Sequence, residues 1–228
     1  MHFKTNNKSM DTNFYKSAGF SLIIGSFMAS AIMMLHPAGG DINHIIQISA
    51  LLRITHSLAI FSLPFILFGF YGLTHKLSNT WRLSSLAFII ITFGLFTVML
   101  AGLLNGLALP YFLGKYSENV EHDISIVKTI VNYNFAVSKA LDYVFIVSFC
   151  SAITIYSLIT IVSKQIPKWI GYFGITILIL VIIGAITNFE FTDIDGFRIV
   201  VFNIAGWILF SGVSLIRSNN NLNEQRKN

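Results

Sequence analysis

Apolar positions gather into six long blocks along this chain, separated by shorter segments that hold most of the charge. A helix crossing a bilayer needs roughly 20 mainly apolar residues. Residues 17–35, 57–77, 83–107, 143–162, 169–187 and 199–216 each meet that requirement and predict six spanning helices. Residues 1–16 form a short leading segment, 17–217 the membrane domain, and 218–228 a polar, aperiodic tail expected to be disordered. The start resembles a secretory signal, with Lys4, Lys8 and Lys16 before an apolar run and Ala29-Ser30-Ala31 as a small-residue site. The run continues to Leu35, however, and so predicts a retained first helix.

Two connections are longer than a membrane requires. From Asp41 to Leu77 is 37 residues and from Asp123 to Lys164 is 42, with Pro64 the one strong breaker. As helices they would run about 55 and 63 Å, against a hydrocarbon core of about 30 Å. Each is therefore expected to project beyond the membrane or to lie along it before turning in. Asp41 and Asp123 are candidate N-caps, and 44–52 and 124–140 the amphipathic pieces. The fold class is thus an all-α integral membrane protein: a six-helix bundle with two amphipathic helical extensions capping its extracytoplasmic side. Small residues let helix backbones approach in lipid. Gly102 and Gly106, with Gly94 expected on the same face two turns earlier, and Gly25 with Ala29 are the candidate contacts.

Composition agrees with a lipid solvent. The chain is 54% hydrophobic and 11% charged, where soluble proteins carry about a quarter charged residues. No polar stretch is long enough for a separate soluble core. The lone Cys150 excludes an internal disulfide and a thiolate metal cluster. A net charge of +5 would suggest nucleic acid in a soluble protein. Here its distribution matters more, and the bilayer is the expected partner. One set of connections, with both termini, holds ten of the fifteen basic residues and two acids, Asp11 and Glu224. The other holds five basic residues and eight acids. Basic residues favour the cytoplasm, so a plasma (inner) membrane protein with both termini cytoplasmic is expected.

Counting about 20 residues from each cytoplasmic charge reaches a polar group near the outer end of every span: His36, His56, the turn before Asn105, Asp142, Asn188 and Arg198. The plain reading is that helix ends are always polar and that snorkelling Lys and Arg cost little there. The alternative is an inward-facing ring. Arg53 and His56 are three apart, with Ser49 behind them, and so are Lys139 and Asp142, with Lys128 and Asn132 on the same stripe. Asp142 can then neutralise Arg53 or Lys139, leaving a polar-floored pocket.

A metal site is a sharper option, because His36, Asp41, His44 and His56 lie close in sequence. His44 and His56 are twelve apart, about 120° on a straight helix, so they converge only if the extension bends. No HExxH and no carboxylate-rich helix face accompany them. Haem is related, with His36 and His56 at similar depth on different helices as the axial pair. His122 is expected in a solvated loop, and 36–41 as a tight turn. No nucleophile-elbow spacing surrounds any serine. The loop with Asn188, Glu190, Asp193 and Asp195 is acidic and expected to be solvated. Trp81 and Trp169 fit interfacial belts, whereas Trp207 falls mid-span, where packing accounts for it.

Three functions follow as expectations. The first is an outward-facing binding or transport protein for a small polar or anionic ligand, a lipid headgroup among the candidates. Arg53, Lys139 and Arg198 would supply positive field, with His56 and Asp142 as proton-responsive partners. The second is a membrane enzyme or electron carrier holding a metal ion or haem through His36, His44 and His56. The third is a structural or assembly subunit whose polar ring is internal glue. Catalysis attaches only to the second.

Overall fold

In a computed structural model, residues 7–37, 40–78, 82–116, 120–163 and 165–224 are described, and all regular structure among them is helical. The elements are α1 (Asn7–Leu35), α2 (Ile42–Gln47), α3 (Ser49–Ser78), α4 (Leu83–Ala101), a π-helical segment (Gly102–Ala108), α5 (Leu109–Tyr116), α6 (Val120–Ser163), α7 (Lys168–Ile186) and α8 (Ile194–Glu224). Six helical stretches are long and apolar enough to cross a membrane: Asn13–Leu35, Ser49–Ser78, Leu83–Lys115, Ile124–Ser163, Lys168–Ile186 and Ile194–Arg217. α8 continues through 218–224, where the pattern predicts no structure, and 225–228 lie outside the described residues. Trp81, expected at an interface, also lies outside them, and so does the side chain of His122.

The spans close into a ring. α1 packs on α3 and α8, α3 on α4, α4 on α6, α6 on α7, and α7 on α8. Near its start α1 meets the end of α8, where Gly19 and Gly212 face each other's carbonyl oxygens. Both chain ends therefore emerge at the same end of the bundle. At the centre Phe70, Tyr156 and Trp207 stack, with ring centroids 5.7, 6.2 and 6.3 Å apart. Their polar atoms are satisfied within the core. The Tyr156 hydroxyl lies 2.6 Å from the Thr74 hydroxyl, and the Trp207 indole N–H donates to the Ile170 carbonyl at 3.0 Å. A buried Trp or Tyr without such a partner would carry the cost of an unmade hydrogen bond.

At the end away from the termini a second, smaller core forms. Ile45 of α2, Leu52 of α3, Leu109 and Leu113 of α5, and Val127 and Val131 of α6 bury one another. The 37-residue helix expected from Asp41 is two helices, because Ile48 leaves helical geometry at φ −92°, ψ 9°. That break lets α2 swing onto α5. Asp41 caps α2 as expected, its carboxylate accepting the His44 N–H at 2.8 Å. Asp123 is not a cap, since α6 already starts at Val120. Gly94 does not share a face with Gly102 and Gly106. It approaches Phe149 of α6, whereas Gly102 and Gly106 approach Ile60 and His56 of α3. Eight residues at about 100° each leave about 80° between positions 94 and 102.

Candidate functional site

A cavity of about 500 Å³ lies at this second end, between the main core and the small one. Its walls come from α1, α2, α3, α4, the π-helical segment, the start of α5, α6 and α8. Most of the lining is apolar, including Met33, Leu52, Val98, Phe145 and Phe197. Into it come His36, His56, Thr97, Asn105, Ser138, Lys139, Asp142 and Asp193. A mostly apolar cleft of this size with a few convergent polar groups is the usual form of a small-molecule site.

Each polar group is held by its own element. His56 is 7% exposed, and its Nδ1 lies 2.8 Å from the Leu52 carbonyl one turn back. Gly106 sits directly over it, and a Cβ there would fall 2.0 Å from the His56 Cβ. That proximity requires glycine. His36, just past α1, sets its Nδ1 3.0 Å from the Pro37 carbonyl. Its Nε2 lies 3.4 Å from the His56 Nε2, with ring centroids 4.9 Å apart. Burial lowers the His36 pKa to about 4; the nearby His56 and Arg198 add to this, and the Pro37 carbonyl opposes it. Arg198 ties α8 to this corner, donating to the carbonyls of Met33 at 3.3 Å and His36 at 2.9 Å.

The π-helical segment that closes over His56 also carries Asn105. Such segments re-aim a side chain by widening one turn, and they recur at functional sites. The Asn105 Oδ1 accepts from the Asn134 amide and the Ser138 hydroxyl, both at 2.7 Å. Its own NH2 has no partner among the described residues. Neither has Asp142, whose carboxylate lines the cavity without a hydrogen bond or ion pair.

The basic residues are placed differently from the sequence expectation. Arg53 is exposed beside a shallow groove with Ile54, Ser57, Leu58 and Phe61, and does not line the cavity. Lys139 stands at the rim and pairs with Glu190 at 2.6 Å rather than with Asp142. Arg198 is engaged by backbone carbonyls and by Asp195 at 3.3 Å. Lys128 and Asn132 are exposed and not in the lining.

Of the four expected metal ligands, His36 and His56 converge, while Asp41 caps α2 and His44 is exposed. Among the described residues no group of three or more His, Cys, Asp or Glu is arranged to hold a metal. Haem does not fit between the two imidazoles as they stand. Axial ligands lie on opposite faces of the iron, about 4 Å apart at metal–nitrogen distances of about 2 Å, with a macrocycle between them. Rings with centroids 4.9 Å apart leave no such slot.

The loop after α7 also has structural occupations. Asn188 takes the left-handed conformation at φ 55°, and the Phe189 N–H reaches back to the Gly184 carbonyl at 2.8 Å, closing the helix. The Asp193 carboxylate accepts the Gly196 N–H at 2.6 Å and caps α8. Sequence reasoning reached the turn before Asn105 by depth without assigning it to the site, and missed Ser138 and Thr97 as lining residues. A further signal for Asn105 was its place between two helix-contact glycines, Gly102-Leu-Leu-Asn-Gly106.

Fold and site together define a six-span helical membrane protein with an amphipathic cavity at one end of its bundle. No family model, curated protein or solved structure matches the chain.

Proposed function

We propose that this is a ligand-binding membrane protein whose cavity takes a small amphipathic molecule, apolar in body, with a head that donates hydrogen bonds or carries positive charge. The observation that carries the reading is Asp142, a carboxylate on an apolar-lined cavity with no partner among the described residues. A carboxylate taken out of water is costly unless paired, so a cationic or donor head gains there what bulk water would otherwise supply. The anionic ligand expected from sequence is less well supported, because Lys139 and Arg198 are engaged and Arg53 points elsewhere. Internal glue accounts for Asn105, Asn134 and Ser138 but leaves Asp142 unexplained. By the bias of basic residues, both termini are cytoplasmic and the cavity opens on the outer side of the plasma membrane, capped by α2 and the start of α6.

The test is thermal unfolding of the detergent-purified protein with medium-chain alkylamines and the matching alkyl carboxylates. A ligand at a hundred times its Kd contributes about 2.7 kcal/mol. Alkylamines are expected to raise the unfolding temperature of the native protein and to lose that effect in Asp142→Asn. Equal stabilisation by carboxylates, or an undiminished response in Asp142→Asn, overturns the reading.

A further inference from the structure

We propose that His36 and His56 form a two-imidazole seat for a transition-metal ion, with its remaining coordination positions open to the cavity. The argument begins with protons. Both Nδ1 atoms face backbone carbonyls, Pro37 at 3.0 Å and Leu52 at 2.8 Å, and a carbonyl oxygen can only accept. Each Nδ1 therefore carries the ring proton, and each neutral ring presents a bare lone pair at Nε2. Those two lone pairs face each other at 3.4 Å. Nothing is shared between them unless an electrophile enters.

The spacing suits a metal ion. A tetrahedral ion with metal–nitrogen distances of about 2.0–2.1 Å holds two nitrogens about 3.3–3.4 Å apart, which is the separation here. The Nε2 atoms are also closer together than the ring centroids, which are 4.9 Å apart, so the rings converge through the nitrogens. Metal-binding histidines characteristically donate their other ring N–H to a carbonyl or carboxylate, which fixes the tautomer. Both rings do so here. Arg198 steadies the His36 backbone, and Gly106 lets the π-helical segment close over His56. Burial that keeps His36 neutral also keeps its lone pair available.

Two imidazoles suit zinc, copper, nickel or cobalt better than magnesium or calcium. Water or a cavity ligand supplies the other positions. The open positions distinguish this seat from a closed structural site.

The test uses the full chain, purified with a histidine-free tag, stripped with chelator and titrated with Co²⁺ alone, with no organic ligand present. Failure here is therefore distinguishable from failure of the ligand reading. One Co²⁺ per chain is expected, with the visible absorption of low-coordinate cobalt, displaced by Zn²⁺. His36→Gln and His56→Ala should each weaken binding at least tenfold, and His44→Ala should titrate as the native protein. Melting without metal identifies variants that fold. His36→Gln, outside the packed spans, is the variant on which the result rests if His56→Ala does not fold. No cobalt band in the native protein, or native-like titration of folded His36→Gln, overturns the proposal.

Discussion

At the residue scale, two side chains on one short stretch of α3 have opposite fates. Arg53 and His56 are about 60° apart around the helix axis, yet Arg53 is exposed and His56 is buried on the cavity. The seam between α3 and the π-helical segment runs between them. That polar groups gather at one level could be read from sequence, because charge avoids lipid. Which of them turn inward could not, since an apolar run fixes a helix's length but not its rotation. A pH prediction belongs here. Folded His36 stays neutral down to about pH 4, while the unfolded chain takes up that proton near 6.5. As pH falls from 6.5 to 4 the unfolded state binds the proton first, so stability present above that window is lost through it. His56 of α3 and Arg198 of α8 are the groups from other elements that face His36. Metal-free melting across this range should therefore show a shallower fall for His36→Gln than for the native protein. Equal slopes would refute the assignment.

At the element scale, the long blocks announced themselves as helices, whereas the breaks that shape the site did not. The bend at Ile48 has no proline and no charge to mark it, and the widened turn at Gly102–Ala108 is marked only by Pro110 just beyond it, which lacks the N–H that would meet the Gly106 carbonyl. Packing completes both: α2 against α5, and Gly106 against His56. Pro64, a breaker the sequence also shows, lies inside an unbroken α3. The π-helical segment is anchored to α6 through Asn105, which accepts from Asn134 and Ser138. Asn105→Ala leaves both donors without that acceptor, and unfolding in detergent should show a loss of about 1–3 kcal/mol. A variant as stable as the native protein would mean that water replaces the bonds at no cost.

At the scale of the whole molecule, six spans return the chain to the side where it began. The side itself is testable, since Cys150 is buried and silent to labelling. In intact cells a membrane-impermeant maleimide should label Lys115→Cys, exposed at the end of α5, and should reach Asn221→Cys only after permeabilisation. The reverse pattern would invert the proposed orientation. A final consequence comes from the aromatic column. Phe197 and Phe145 line the cavity, and ring contacts run on through Phe149 and Phe70 to Tyr156 and Trp207. On that side the recess therefore ends against rings that are themselves wedged on the buried aromatic cluster. A passage deeper into the bundle there would have to part those rings.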